Sequence, residues 1–420
     1  MIQTQPNCTD RVETGLIHFD TARANILSSV TAIGGAHRLP IEQARGRTLA
    51  CAVTAPIDVP AHTNSAVDGY ALRSEDLPGS GTTGRFTIVG RAFAGKPFEG
   101  ELAAGQCVRI MTGAPMPAGC DTVIMQEQVE RSGESILIDA AHRPGQNVRQ
   151  AGENLRRGET ALPAGRLLTP PDIGLCASLG IAELPVRRKL RVAIASTGDE
   201  IFDVGAVPGN GGIYDSNRYS LLATLHRPDI EIVDLGILQD RPELLLDAFN
   251  GIADHADVII SSGGVSVGDA DHIKTALQTS GQIEFWKVAI KPGRPMAFGS
   301  IGGAAFFGLP GNPVAVLVTF YLLVLPALEK MLGITDRPVA PMLKARALEP
   351  IRKRPGRTEV QRGILLRDDD GAWTVKTTGK QGSGILRSMS LADAFIILPH
   401  DSGNIDAGDW VTVQPFAGLW

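Results

Sequence analysis

The sequence has few aromatic residues, few cysteines and no apolar segment long enough to span a membrane. Aromatic side chains make up 5% of the 420 residues, and the 5 cysteines are scattered without C-x-x-C spacing. Such cysteines suit a reducing compartment and argue against a zinc site. The longest apolar run, Val314–Leu325, is shorter than the roughly 20 residues that a spanning helix needs. We therefore expect a fully buried helix or a subunit-interface helix there.

The sequence also lacks an excess of basic residues. It contains 40 Lys and Arg against 45 Asp and Glu, which gives a net charge of −5. This balance argues against a general nucleic-acid binder, so an anionic ligand needs local Lys and Arg. The first residues show no basic segment followed by an apolar one, as a secretory signal would. We expect a cytoplasmic protein that binds neither nucleic acid nor membrane.

The chain has length, glycine and a secondary-structure pattern that changes along it. A chain of 420 residues is too long for one compact core, and 48 glycines predict many tight turns. The pattern predicts a multidomain α/β plus β protein. It also predicts a small all-β insertion, a doubly wound α/β segment from about Leu190 and a small β-barrel or sandwich after Gly333.

Several local elements can be predicted from periodicity and capping residues. An amphipathic helix is expected over Ile17–Val30 with Asp20 or Thr21 as its cap, and a strand over Gly46–Val53. Strands and helices alternate from Leu190 onward, as in a doubly wound sheet. The expected α/β elements include strands Arg191–Ser196, Glu231–Leu235, Val258–Ser261, Ile283–Ala289 and Ala304–Gly308, and helices from Asp215 to Leu225, from Asp271 to Thr279 and over Pro242–Ala253.

Glycine-containing loops follow three of these strands. Ser262-Gly263-Gly264 comes directly after Val258–Ser261, and two glycines there let backbone N–H groups approach an anion. Taken alone, this is also the pattern of an ordinary βα turn. The other two loops are Thr197–Glu200 and Leu309–Pro313. In a parallel sheet the three loops lie at one edge, where ligands bind.

Charged residues of both signs are expected around that edge. Four acidic residues come after strands of the α/β segment: Asp215, Asp240, Asp269 and Asp271. A basic run extends from Lys287 to Arg294. Carboxylates near phosphates are what a Mg²⁺ site needs. The basic run is able to hold an anionic ligand, although alone it equally suits a solvated surface.

Seven motifs together resemble one known family. In chain order they are N-S-A-V-D-G-Y-A (64–71), R-I-M-T-G-A-P-M-P (109–117), S-T-G-D-E (196–200), I-Y-D-S-N (213–217), S-S-G-G-V-S-V-G-D-A-D (261–271), K-P-G-R-P (291–295) and L-P-G-N-P (309–313). This order resembles the MoeA proteins, which are homologous to the E domain of gephyrin. The resemblance extends from about Ile17 to the C-terminus.

The resemblance implies a specific activity and assembly. MoeA proteins are molybdopterin molybdenumtransferases. They take adenylylated molybdopterin and molybdate, and with Mg²⁺ they release AMP and the molybdenum cofactor, the last general step of its synthesis. They are elongated homodimers of four domains. This implies here a linker or dimerisation domain (1–56 and 155–188), a β-rich insertion (57–154), an α/β molybdopterin-binding domain (189–335) and a C-terminal β-barrel domain (336–420). The α/β domain of one subunit faces the β-insertion of the other. A handover of substrate from the adenylyltransferase of the same pathway is also implied.

The resemblance also implies roles for individual residues. Catalytic roles fall on Asp68, Thr112, Glu200, Asp240 and Asp271, of which Glu200, Asp240 and Asp271 would hold the Mg²⁺. Asp68 and Thr112 would act in trans across the dimer. Substrate-binding roles fall on Ser262, Gly263, Gly264, Lys287, Lys291, Pro310, Pro313 and Ser383. One position departs, because Asn154 stands where the family commonly has aspartate, which removes a charge.

Two other functions are alternatives to this one. A non-catalytic scaffold that holds molybdopterin without turnover is disfavoured, because Asp68, Glu200, Asp240 and Asp271 are all present. The related adenylyltransferase resembles only the segment 190–332. The flanking β-domains argue against that alternative.

Overall fold

The structure, a computed structural model, describes residues 15–263, 281–336 and 341–417. The α/β domain is formed by β1 (Leu190–Thr197), α1 (Ser216–Leu225), β2 (Ile230–Leu238), α2 (Pro242–Ala253), β3 (Val258–Ser262), β4 (Gly281–Lys287), β5 (Pro295–Ile301), β6 (Ala304–Leu309) and α3 (Pro313–Met331). The sheet order is β2-β1-β3-β6-β5-β4. The predicted segment that includes Gly264, Asp269, Asp271 and the helix to Thr279 lies outside the described residues.

The expectation of a parallel sheet holds for four strands of the sheet. Strands β2, β1, β3 and β6 run parallel, whereas β5 pairs antiparallel with both β6 and β4. The short connection from Ile301 to Ala304 forces this change, because a parallel pair needs a long crossover and a hairpin does not. Strand β5 begins at the last residue of the K-P-G-R-P segment, Pro295, and was not predicted.

Helices cover both faces of the sheet, as predicted. Residues Val192 and Ile194 of β1 pack with α1 and α3 on one face, while Ala193 and Ala195 pack with α2 on the other. This alternation follows from the two-residue period of a strand. Both faces of β1 are therefore buried, as its nearly continuous apolar sequence indicates.

The long apolar run forms the core helix α3. It spans 19 residues with a mean hydropathy of 1.8, and 78% of its apolar window is buried. Its residues pack against the sheet on one side and against Phe395 and Phe416 of the C-terminal domain on the other. By length and composition alone it passes for a membrane-spanning segment, but this burial matches the first of the two predicted alternatives, a buried helix.

The C-terminal domain is a closed β-barrel of five strands. Strands Leu343–Ala347, Thr358–Arg367, Trp373–Thr377, Ala394–Leu398 and Trp410–Pro415 each pair with two neighbours and so close the sheet. A short helix, Arg387–Ser390, precedes the fourth strand. The two-residue strand Ile290–Lys291 of the α/β domain adds to Thr358–Glu359. The barrel is therefore joined to the α/β domain through backbone hydrogen bonds as well as through α3.

The β-rich insertion contains a six-stranded sheet. In spatial order its strands are Thr122–Met125, Gly69–Leu72, Gln106–Ile110, Gly84–Ala92, Ser135–Ile138 and Glu130–Ser132. All neighbours are antiparallel except Gly84–Ala92 and Gln106–Ile110. A separate pair, Asn64–Ser65 with Val148–Arg149, lies beside it.

The residues on either side of the insertion fold together. Strand Ala36–Pro40 pairs with Glu183–Arg187, and Val53–Thr54 pairs with Thr160–Leu162. Helix Pro170–Ser178 begins at Thr169 in a capping box with Asp172. The domain boundaries themselves stay predictions.

The N-terminal segment contains two differences from the sequence-based expectations. The predicted helix is present as Phe19–Ser29, but His18 occupies the N-cap and its side chain accepts a hydrogen bond from the Asp20 N–H. The expected strand Gly46–Val53 was wrong. Residues Thr48 and Leu49 form single bridges, and the regular strand covers only Val53–Thr54. These pairings are made with distant residues, which local sequence does not specify.

A partly buried ion pair holds the amino ends of β1 and β3 together. Asp257 accepts hydrogen bonds from Arg188 Nη1 at 2.6 Å and Nη2 at 2.8 Å, and from the Arg191 N–H at 2.8 Å. Burial by itself raises the pKa of Asp257, but these hydrogen bonds outweigh it and the pKa lies below its ordinary value. The ionised carboxylate therefore stabilises the fold.

We expect Asp257→Asn to lower the stability of the protein at neutral pH. Loss of this partly exposed ion pair is worth about 2 kcal/mol, or a drop of about 4–8 °C in melting temperature. Because the folded pKa is depressed, the stabilisation is present above the unfolded pKa and is lost as pH falls through the folded value. Melting curves of both proteins between pH 7 and pH 3 test this. A difference that stays constant over that range would contradict it.

Candidate functional site

The carboxyl ends of three parallel strands meet at one edge of the α/β sheet. Ser196 of β1 lies opposite Ser262 of β3, and Ser262 lies opposite Leu309 of β6. The loops that begin there carry Glu200, Gly263 and Pro310. The structure confirms that the three predicted loops share one edge.

Asn217, in the first turn of α1, joins two of these loops. Its Nδ2 donates to Ser262 Oγ at 2.9 Å and to the Gly311 carbonyl at 2.8 Å. The residue is 8% exposed. Asp215 caps the same helix by accepting from the Arg218 N–H. One buried amide therefore holds the β3 and β6 loops in a fixed relation.

Gly263 occupies a position that only glycine fits. Its φ is +93°, and a Cβ there would lie 2.4 Å from the Thr197 carbonyl oxygen. The Gly263 N–H donates to the Leu309 carbonyl at 3.2 Å. The β1, β3 and β6 strand ends are thus packed backbone to backbone at this position.

We expect Asn217→Ala to destabilise this edge. The change leaves Ser262 Oγ and the Gly311 carbonyl without their shared donor, at a cost of about 2–3 kcal/mol. A melting temperature lower by about 4–10 °C than that of the wild type would show it. Asn250→Ala, on the exposed face of α2, is the matched control and should change the melting temperature little. Equal effects of the two substitutions would contradict the assigned role.

Acidic side chains crowd together beside the glycine-containing loops. The Asp240 N–H donates to Asp199 Oδ1 at 3.3 Å. Burial, and then the charges of Asp199 and Glu200, raise the pKa of Asp240 above its ordinary value. The structure therefore brings Glu200 and Asp240 together, as predicted, and adds Asp199, which the sequence placed in a motif but not among the site residues.

The donor set at this cluster fits a divalent cation in part. Asp240 Oδ1 is buried with no hydrogen-bond partner among the described residues. An orphaned carboxylate oxygen facing two more carboxylates is a group that a cation would stabilise. Within the described ranges, no three His, Cys, Asp or Glu side chains form a ready-made metal cluster. The predicted ligand Asp271 lies outside those ranges.

Asp68 and Thr112 form a pair in the β-rich insertion. Asp68 Oδ1 accepts from the Thr112 N–H and from Thr112 Oγ1, each at 2.8 Å. The backbone hydrogen bond first, and then the hydroxyl, lower the pKa of Asp68. Gly69 is required beside it, because a Cβ there would lie 2.1 Å from the Ile124 carbonyl oxygen. Two residues 44 positions apart in the sequence are thus brought together, and Thr112 orients the ionised Asp68 carboxylate.

Of the two predicted substrate lysines, Lys291 contacts the barrel. Lys291 Nζ donates to Glu359 Oε1 of the barrel at 3.1 Å, and the Lys291 side chain is 48% exposed. An ammonium has three donors, so this contact leaves others available to an anion. Lys287 is the exposed last residue of β4. Glu359 as the partner of Lys291 was not predicted.

A loop of the barrel reaches the start of α3. The Val314 N–H donates to the Ser383 carbonyl at 3.0 Å, so Ser383 lies beside the loop that contains Pro310 and Pro313. The fully buried Arg362 holds this barrel loop by donating to the Gly382 carbonyl at 3.2 Å and to Ser388 Oγ at 3.0 Å. Burial lowers the pKa of Arg362 to about 10.

The sequence reasoning missed several of these residues. Asp199 and Asn217 stand inside the motifs that carried the resemblance, which was a signal that they matter. Arg362 and Glu359 lie in a strand with no such pattern.

A groove of about 1130 Å³ lies away from the candidate site, beside Asp257 and the edge strand β4. None of the described site residues lines it.

Comparisons with known proteins agree along most of the chain. Family models match residues 17–180 (MoeA N-terminal region, domain I and II), 193–330 (probable molybdopterin binding domain) and 344–416 (MoeA C-terminal region, domain IV). Together they include the strand-end loops, the Asp68–Thr112 pair and the barrel.

Curated relatives and a solved structure give the same result. A Haemophilus influenzae protein named molybdopterin molybdenumtransferase is 42% identical over 405 residues, covering 96% of this chain and 100% of that protein. A Nostoc protein of the same name is 35% identical over 88% of this chain and 86% of its own length. The crystal structure of the molybdopterin biosynthesis moeA protein from Pyrococcus horikoshii OT3 matches with a TM-score of 0.83 at 29% identity, covering 95% of this chain and 100% of that one.

Proposed function

This chain belongs to the MoeA family, and on that premise we propose that it is a molybdopterin molybdenumtransferase that inserts molybdate into adenylylated molybdopterin and releases AMP. The observation that supports this most directly is the meeting of Asp199, Glu200 and Asp240 beside the Gly263 loop. Crowded carboxylates suit a phosphate ester bound with a cation. The substrates in this proposal are adenylylated molybdopterin and molybdate.

The release of AMP requires the protein to position charged groups around the substrates. The bond that breaks is the phosphoanhydride between AMP and the pterin phosphate, attacked by water or by a molybdate oxygen. The Ser262–Gly263 and Pro310–Pro313 loops orient the pterin phosphate, and Lys287 and Lys291 hold the molybdate oxyanion. Glu200, Asp240 and Asp271 would hold Mg²⁺, which when bound supplies positive charge to the phosphate oxygens.

The assembly belongs to the same proposal. The hydrogen bonds of the Asp68–Thr112 pair stay inside the insertion, so this pair is available to a site on a second subunit. We propose a homodimer in which Asp68 and Thr112 complete the site of the partner. An adenylylated substrate implies an upstream adenylyltransferase that hands it over, and the five scattered cysteines suit a cytoplasmic location.

The departure at Asn154 falls at the edge of the insertion. Asn154 is exposed, and its N–H donates to the Val59 carbonyl at 3.0 Å. The backbone contact does not depend on the side chain. We therefore propose that the asparagine affects activity only modestly.

The test is AMP release by the purified protein. With adenylylated molybdopterin, molybdate and Mg²⁺ we expect AMP to be released, and we expect the release to stop when EDTA removes the cation or when molybdate is omitted. Binding of molybdopterin without AMP release would overturn the proposal and support the scaffold function instead.

A further inference from the structure

Glu200 lies at the base of a loop that extends over residues 201–214. The loop begins with the short strand Ile201–Phe202 and ends with Ile213–Tyr214, which pair in parallel. The Ile213 N–H donates to the Glu200 carbonyl at 2.8 Å, and the Asp215 N–H donates to the Phe202 carbonyl at 2.9 Å. The position of the Glu200 backbone therefore depends on where this loop lies.

The loop has little apolar packing of its own. Val204 is 62% exposed and Val207 is 90% exposed. A segment without buried apolar side chains gains little from the hydrophobic effect, so its position must come from polar contacts or from its ends. The structure shows such polar contacts at the start of the loop.

One buried guanidinium joins the loop to the rest of the domain. Arg218, whose side chain is 6% exposed, donates to Asp203 Oδ1 at 2.7 Å, to Asp215 Oδ2 at 3.1 Å and to Asp234 Oδ2 at 2.6 Å. Asp203 belongs to the loop, Asp215 caps α1, and Asp234 belongs to β2. Charge-assisted hydrogen bonds in this planar arrangement fix the loop relative to both the helix and the sheet.

Asp203 also accepts hydrogen bonds from two neighbouring residues. Its Oδ1 also accepts from the Tyr219 hydroxyl at 2.8 Å and from the Val204 N–H at 2.9 Å. Asp234 makes a comparable local contact, because its Oδ1 accepts from the Gly236 N–H at 2.9 Å. The two carboxylates thus serve the same arginine, but only Asp203 lies in the loop that continues from Glu200.

We propose that Arg218 is a positioning residue that acts through Asp203 to hold the 201–214 loop and so fixes Glu200 for cation binding. The hydrogen bond from Arg218 to Asp203 of the loop is seen in the structure, whereas the role of Glu200 in cation binding rests on the function proposed above. Removing Arg218 would leave three carboxylates without their shared cation and endanger folding. The test therefore changes the carboxylates instead.

The matched variants are Asp203→Ala and Asp234→Ala, with Asp203→Asn as the conservative change. We expect Asp203→Ala to raise the Mg²⁺ concentration for half-maximal AMP release by about 10-fold, with the maximal rate recovered at saturating Mg²⁺. Asp203→Asn, which keeps an acceptor for Tyr219 and Arg218, should restore most of the affinity. Asp234→Ala should stay within about 2-fold of the wild type, because β2 is held by the sheet.

Hydrogen exchange of the peptide 198–216, measured on the same proteins, reports how firmly the loop is held and does not depend on AMP release. We expect faster exchange in Asp203→Ala than in Asp234→Ala. Equal exchange, or equal loss of rate at every Mg²⁺ concentration, would overturn the proposal in favour of a purely structural role. A wild-type protein that releases no AMP would contradict the proposed function, and the exchange comparison would still decide whether Asp203 holds the loop.

Discussion

Replacing Asp240 by asparagine is expected to reduce AMP release by roughly 100- to 1000-fold without lowering the melting temperature. The two halves of this result have one physical origin. The carboxylate is partly buried and faces Asp199 and Glu200, which raise its pKa. Its charge is therefore unfavourable to the folded protein, and under the function proposed above it serves a bound cation and phosphate.

The stability half of the prediction follows from removing a like charge. Asparagine keeps the shape of the side chain and loses its charge, so the repulsion from Asp199 and Glu200 is relieved. The melting temperature of the metal-free protein should be unchanged or up to about 2 °C higher. Activity and stability then move in opposite directions, as is typical of residues kept for function.

The control is Asp247→Asn, the same change on the exposed face of α2. It should leave both AMP release and the melting temperature close to those of the wild type. A parallel loss of activity and melting temperature in Asp240→Asn would show that Asp240 supports the fold and not the reaction, which would contradict the prediction.

The second large effect concerns the two subunits. Asp68→Ala is expected to be as inactive as Asp240→Asn, because it removes an ionised carboxylate that Thr112 orients with two hydrogen bonds at 2.8 Å. If the two residues serve one site from different subunits, a mixed dimer contains one site with both residues intact. We therefore expect an equimolar mixture of the two inactive variants to regain about one quarter of the wild-type activity.

The quarter follows from random assembly, since half of the dimers are mixed and one of their two sites is complete. The variants are combined by co-expression with different affinity tags, and the doubly tagged dimer is purified. That mixed dimer should have about half of the wild-type activity. A mixed dimer as inactive as its parents would place Asp68 and Asp240 in the same subunit's site, or separate Asp68 from the reaction.

The sequence determined much of the local structure. Helix α2 was predicted as Pro242–Ala253 and is present with those bounds, and Asp215 caps α1 as expected. The strand before the Ser262 loop ends one residue later than predicted. These elements depend on periodicity, capping residues and apolar runs, which are properties of neighbouring residues. The family, and with it the candidate residues, also followed from motifs that can be read in sequence order.

Tertiary structure decided how those residues meet. Three sets of hydrogen bonds join residues from different elements. They link Asn217 to Ser262 and Gly311, Asp240 to Asp199, and Arg218 to Asp203. No local pattern specifies them, because each depends on the register of parallel strands and on the helices that cross between them. The sequence thus determined which chemical groups the protein has, and the packing of the sheet edge decided their partners, burial and charge.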